Sequence, residues 1–213
     1  MMYTRFHEGN FRLCCRRLAK QDNDLKNIIT EFGYPQFWTR KPGFATLIHI
    51  ILEQQVSLAS ASAALKKLEA RLGTITPAKL IALNDSEMKA CYFSRQKTRY
   101  ARNLADAVLS RRLKLPLFET ASDQIIKEEL TKISGIGSWT ADVYLMMALH
   151  RTDCFPMGDI ALLKSLKSVK RTPEYITRES LGLITDGWRP FRTIAAFLLW
   201  HAYICKRQGF KEI

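Results

Sequence analysis

"KISGIGSWTADVYLMMALH", residues 132–150, sets two glycines one residue apart ahead of an apolar helical run. A dinucleotide fingerprint needs a strand before its glycines and a third glycine after them. Here the preceding "DQIIKEELTKI" has helical periodicity, and Gly137 is followed by Ser138 and Trp139. A P-loop needs Gly-Lys-Ser/Thr at the end of a longer loop, which is absent. What remains is helix, glycine turn, helix. The first helix is predicted to end near Ile133 and the second to start near Ser138. Gly135 and Gly137 allow backbone angles that other residues resist. The first N–H groups of the second helix lack intrahelical partners, and glycines without Cβ let an anion approach them. Leu130, Ile133 and Ile136 are predicted to face inward and join the two helices. Such a turn can hold one nucleic-acid phosphate without reading bases. The same spacing also suits an ordinary corner between core helices.

Outward from this stretch the pattern stays helical. "FATLIHIILEQQVS" (44–57) is apolar with a polar end. "SASAALKKLEARLG" stops at Gly73, a suitable helix C-terminus, and Thr76-Pro77 starts another helix. "RQKTRYARNLADAVLSRR" (95–112) is predicted to set Tyr100, Leu104 and Val108 on its apolar face. Ser122 caps the helix before the glycines, and "RPFRTIAAFLLWHAYICKR" (189–207) is a long apolar helix with basic ends. No stretch alternates as a strand does between hairpin signals. The fold class is all-α, a bundle of about ten short helices.

Lys and Arg total 33 against 20 acidic residues, a net charge of +13, which makes nucleic acid the favoured partner. The five cysteines (Cys14, Cys15, Cys91, Cys154, Cys205) form no C-x-x-C and no zinc spacing, so they read as buried free thiols. The four histidines are scattered and receive no chemistry. No apolar run approaches the roughly 20 residues a bilayer span needs, and no export signal is read at the N-terminus. The expected setting is the cytoplasm, at the nucleoid in a bacterial cell.

Three separated motifs then carry a resemblance. "LTKISGIGSWTADVYL", followed by "FPMGDIALLKSL", resembles the hairpin, Gly/Pro-rich loop and aspartate of the helix-hairpin-helix DNA glycosylases. "ILEQQVSLASASAAL" (51–65) and "GWRPFRTIAAFLLWHAY" (187–203) resemble two further helices of the same superfamily, in the same order. Among its branches the chain looks like the alkylpurine type, the 3-methyladenine DNA glycosylase II (AlkA-type) family. The extra N-terminal sheet domain of some relatives has no counterpart in this sequence. Bifunctional relatives carry a Lys where this chain has Trp139, so no amine is there to form a Schiff base. Iron–sulfur relatives need four clustered C-terminal cysteines, and only Cys205 lies there. The resemblance therefore implies a monofunctional enzyme of base excision repair, flipping out alkylated purines and leaving an abasic site.

It also implies a layout. Residues 41–152 would form a helical barrel ending in the hairpin (130–150). Residues 1–40 with 153–213 would form a second helical subdomain, with the base held in a cleft between the two. Asp159 would be the catalytic carboxylate; by position alone it reads first as a helix N-cap, and the two roles can coexist. Trp139 and Trp200 would line the base pocket, with Phe37 and Trp38 as lesser candidates; core packing is the plain alternative for Trp200. Gln55 would be the wedge that fills the hole left by the flipped base, with Gln54 supporting the loop. Backbone N–H groups of Gly135, Gly137 and Thr140 would hold phosphate. Carbonyls of Thr131, Ile133 and Ile136 would hold a Na+ or K+ ion, with no other cofactor required. Arg95, Lys97, Lys164 and Lys167 would add nonspecific charge. Asp123, Asp142 and Asp153 read as surface or capping residues. Glu53 stands where many relatives have Gly, Ser94 where Gly usually precedes the basic helix, Gly158 where many have a second Asp, and Ile160 where one has Tyr. The partner would be damaged double-stranded DNA, bound by a monomer and without a membrane. Oxidised or deaminated bases are an alternative substrate class. A silent damage-binding module and an RNA-binding protein are alternatives of other kinds.

Overall fold

Short polar side chains decide where the helices begin. In the computed structural model, which describes residues 4–207 and Gly209, Ser57, Thr76, Asn84, Ser94, Ser122 and Thr177 each accept a hydrogen bond from a backbone N–H three residues on. Asp22 and Asp159 do the same with carboxylate oxygens. Each such cap satisfies a donor the helix itself leaves open and contributes about 1 kcal/mol. The helices so delimited are α1 (Glu8–Gln21), α2 (Asn23–Phe32), α3 (Phe44–Glu53), α4 (Leu58–Leu72), α5 (Pro77–Ile81), α6 (Asp85–Ala90), α7 (Arg95–Leu109), α8 (Asp123–Thr131), α9 (Ser138–Met147), α10 (Ile160–Lys170), α11 (Arg178–Asp186) and α12 (Arg192–Arg207). A 3-10 turn covers Leu115–Glu119. Among the described residues there is no strand, only an isolated bridge between Arg5 and Arg151. The fold is all-α.

The chain divides into two compact units. One is Arg40–Tyr144; the other joins the residues up to Thr39 with those from Leu145 onward, so the second division falls within α9.

In the Arg40–Tyr144 unit, α3 is the centre. Phe44, Thr46, Leu47, Ile48, Ile50, Ile51 and Leu52 are all buried, which leaves Ala45, His49 and Glu53 on the remaining face. The α4 and α7 helices pack on it, and α5 and α6 pack on α7. The buried face of α7 is Thr98, Ala101, Leu104, Ala105 and Ala107, while Tyr100 and Val108 are only half-buried. The stripe expected through Tyr100, Leu104 and Val108 is thus rotated. Small alanines let α7 approach its neighbours closely, and the larger side chains move to the margin. Helix α3 ends where its apolar run meets the polar Gln54-Gln55. It stops at Glu53, because Ser57 takes the cap of α4 and the chain between must turn.

In the other unit α12 is central, with Ile194, Ala195, Ala196, Phe197, Leu198, Leu199 and Ala202 buried. It packs on α10, α2 and α1. The Thr193 hydroxyl donates to the Arg151 carbonyl at 2.6 Å and accepts from the Cys154 N–H at 3.0 Å, tying the loop before Asp159 to α12. Asp22 accepts from the Trp188 indole at 2.7 Å and from Lys170 at 2.6 Å, joining α2 to α10. All five cysteines are buried thiols outside any disulfide, and burial pushes the Cys15 thiol up to about 12.

Candidate active site

The glycine turn lies between α8 and α9, and its two glycines sit in different surroundings. Gly135 has φ +99°, and a Cβ built there would lie 2.1 Å from Cγ of Tyr100. The turn is thus pressed against α7, which no spacing argument revealed. Gly137 is exposed, and a Cβ there would meet nothing within 4 Å. Leu130, Ile133 and Ile136 are buried and anchor the turn. Thr140, on the first turn of α9, is also buried.

Side chains from elsewhere in the unit reach the turn's carbonyls. Asn103 Nδ2 donates to the Ser134 carbonyl at 3.4 Å. Gln54 Nε2 donates to the Gly135 carbonyl at 2.9 Å and to Thr140 Oγ1 at 3.0 Å. The neighbouring carbonyls of Thr131, Ile133 and Ile136 are those the resemblance offers to a cation. Neutral carbonyl oxygens suit a monovalent ion, and the Ile133 carbonyl already accepts the Ile136 N–H at 2.9 Å, leaving a second lone pair.

Gln54 and Gln55 begin the segment between α3 and α4, and they differ. Gln54 is half-buried through its bridge to the glycine turn, whereas Gln55 is exposed with φ +57°. Val56 and Leu58 beside it are exposed at 45% and 69%, so this rim is apolar as well as polar. Glu53 at the end of α3 is held by Arg40 through two bonds of 2.6 and 2.8 Å, and His49 Nε2 lies 3.4 Å from its carboxylate. Burial and the Arg40 charge hold the His49 imidazole below its ordinary range, with Glu53 opposing. Lys97, expected to offer charge at the surface, instead donates its ammonium to the Leu52 carbonyl at 2.5 Å. Burial lowers its pKa. Arg95 and Lys164 are exposed, and Lys167 reaches the Glu174 carbonyl at 3.2 Å. Asp142 is a buried partner of Lys127 at 2.6 Å, neither surface nor cap. Asp123 sits in the first turn of α8, and Asp153 pairs with Arg189 and Arg192.

Asp159 lies in the other unit and combines both of its sequence readings. Its N–H donates to the Pro156 carbonyl at 2.8 Å, closing the loop ahead of α10. Its Oδ1 caps α10 through the Leu162 N–H at 2.8 Å and also accepts from the Trp200 indole at 3.3 Å. A carboxylate with one oxygen fixed by two donors has a set orientation. Trp200 is half-buried; its ring lies 6.1 Å from Phe197 and 6.4 Å from Trp38, the latter edge-on at 77°. Structure therefore raises Trp38, a lesser candidate by sequence, to a neighbour of the carboxylate's own partner. Phe37 instead joins Phe6, Phe11 and His150 in an aromatic cluster. Trp139, half-buried on the first turn of α9, belongs to the Arg40–Tyr144 unit. Ile160, next to Asp159, is 73% exposed.

A helix–glycine turn–helix followed by a loop and a capping aspartate, in an all-helical chain, defines a class of DNA repair protein. The family model described as the HhH-GPD superfamily base excision DNA repair protein matches residues 48–190, and the chain belongs to that superfamily. Within it the chain is similar to DNA-3-methyladenine glycosylase 1 of Schizosaccharomyces pombe, with 29% identity over 83% of this chain and 79% of that one. The crystal structure of the DNA-3-methyladenine glycosidase of Bacillus halodurans matches with TM-score 0.77 and 30% identity, covering 92% of each chain. A solved structure of the S. pombe 3-methyladenine DNA glycosylase in complex with abasic DNA matches with TM-score 0.82 and 25% identity, covering 94% of this chain and 100% of the other.

Proposed function

We propose that this protein is a monofunctional DNA glycosylase that hydrolyses the N-glycosidic bond of alkylated purines in double-stranded DNA. The observation that carries the reading is Asp159: a carboxylate at a helix N-terminus, its Oδ1 fixed by the Leu162 amide and the Trp200 indole. Breaking the C1′–N bond leaves an oxocarbenium-like sugar, and an oriented carboxylate stabilises that cation. Water then adds its oxygen to C1′ and gives a proton to solvent, while the bonding pair leaves with the base. Alkylation at a ring nitrogen makes the purine cationic, so its departure needs little protonation. Aromatic faces select such a ring by stacking and cation–π attraction. Trp200 offers such a face beside Asp159, Trp38 stands edge-on to Trp200 at 6.4 Å, and Trp139 is assigned to the same task by resemblance alone.

The position occupied by a lysine in strand-cleaving relatives is Trp139, which supplies no amine, so the strand stays intact. Gly135, Gly137 and Thr140 are assigned to a backbone phosphate through their N–H groups, in keeping with the open space at Gly137. Carbonyls of Thr131, Ile133 and Ile136 would hold a Na+ or K+ ion, which adds positive charge for that phosphate. Gln55, exposed and left-handed, is assigned to the gap left by the flipped base. The protein acts as a monomer.

The test is release of 3-methyladenine or 7-methylguanine from methylated duplex DNA, wild type beside Asp159→Asn. The reading expects release by the wild type, an unbroken strand until alkali is added, and loss by at least about 100-fold in the variant. Undiminished release by Asp159→Asn moves the catalytic carboxylate elsewhere. Tight binding of damaged DNA without release by the wild type would make the protein a silent damage binder.

A further inference from the structure

We propose that Gln54 is a positioning residue that couples the glycine turn's hold on the DNA backbone to the insertion of Gln55; this rests on the glycosylase reading above. Both amide hydrogens of Gln54 are spent within one unit. One goes to the Gly135 carbonyl at 2.9 Å, 81 residues along the chain, and the other to Thr140 Oγ1 at 3.0 Å, 86 residues along. The first acceptor lies in the turn, and the second lies on the helix whose opening amides face the phosphate. Gln54 therefore bridges the two parts of the phosphate grip.

Its backbone is the exit from α3. The Gln54 N–H still bonds the Ile51 carbonyl at 3.3 Å, while its ψ of 121° has left the helix. The next residue, Gln55, takes φ +57° without being glycine. A left-handed residue of that kind persists where its surroundings hold it. One flank is held by the Gln54 bridge. The other is held by Ser57, whose hydroxyl accepts the Ser60 N–H at 3.2 Å. Movement of the turn as it takes a phosphate is thus delivered to the base of the Gln55 turn.

A lesion in duplex DNA has to be flipped and its hole filled, whereas a lesion in a single strand does not. That difference separates a positioning role from a merely structural one. Gln54→Met keeps the shape and removes both donors. In single-turnover assays with the full chain, release of 7-methylguanine from duplex should fall roughly tenfold, the effect of two neutral hydrogen bonds partly replaced by water. Release from the same strand without its complement should change by no more than about twofold, because no hole is filled there. Equal loss on both substrates, or no loss on either, overturns the proposal. Gln54→Leu, which also removes both donors, carries the same comparison should Gln54→Met fail to fold. A second readout does not need base release: fluorescence of 2-aminopurine placed opposite an abasic site reports insertion on binding. The wild type should change that signal and Gln54→Met should change it much less at equal occupancy; equal signals overturn the proposal. Should the wild type release no methylated purine, the enzymatic reading fails, and this fluorescence comparison still decides Gln54.

Discussion

Replacing each hairpin glycine by alanine should separate what the turn needs in order to fold from what it needs in order to bind. At Gly135 the new Cβ would lie 2.1, 2.3 and 2.6 Å from Cγ, Cδ1 and Cβ of Tyr100, all near the root of that side chain. Tyr100 cannot swing aside freely, because its hydroxyl accepts from Gln96 at 2.6 Å and the Arg99 guanidinium lies 5.6 Å from its ring. Overpacking of this kind costs about 1–3 kcal/mol. The φ of +99° adds about 1–2 kcal/mol for any residue with a Cβ. Gly135→Ala should therefore lose about 2–5 kcal/mol in urea denaturation. Tyr100→Ala in the same chain should return the overpacking part, about 1–3 kcal/mol, and leave the backbone part. Gly137→Ala meets no atom within 4 Å, and its φ is outside the left-handed region, so its stability should change by less than about 0.5 kcal/mol. Its methyl group would instead stand in the space the proposed function gives to a phosphate, and affinity for an abasic duplex, read by anisotropy, should drop about tenfold. A Gly135→Ala protein as stable as wild type, or a Gly137→Ala protein that binds as tightly, would refute this division of roles.

Two further outcomes follow from other parts of the chain. Trp200→Phe keeps an aromatic face and removes the donor to Asp159, so the rate of base release at saturation should fall about tenfold with little change in KM; a change confined to KM would make Trp200 a pocket wall only. Lys170→Met removes the ammonium paired with Asp22, which keeps the Trp188 indole and the Asp24 and Leu25 amides, and should cost about 2 kcal/mol near neutral pH, measured by thermal or urea unfolding. Burial pushes the Asp22 carboxyl up, but hydrogen bonds from Lys170, Trp188 and the Leu25 amide hold it below its ordinary range. A carboxyl so lowered stabilises the fold above its unfolded pKa and loses that contribution as pH falls through its folded value. The gap between wild type and Lys170→Met should therefore hold at neutral pH and close below about pH 4; a gap that persists in acid would place the effect in packing instead.

Sequence by itself determined the helices and where they start, because a serine, threonine, asparagine or aspartate cap acts on amides two or three residues away. The turn at 134–137 and the inward set Leu130, Ile133 and Ile136 were legible for the same reason, being local in chain and in space. The aspartate after its loop was legible as a cap, and as more only through the resemblance. Tertiary structure alone decided the partners. Periodicity shows that α7 has an apolar face, yet it cannot show that alanines would take the contact and leave Tyr100 beneath Gly135. Nor can it show that Lys97 would cap α3 through Leu52, that Asp142 would be buried against Lys127, or that Gln54 would hold the hairpin while Gln55 faces solvent. The Trp200 indole on Asp159 joins residues 41 positions apart, and it sets the orientation of a carboxylate that sequence could only nominate. A side chain's type fixes what it can bond; which of several possible partners comes within about 3 Å is settled only when the helices pack.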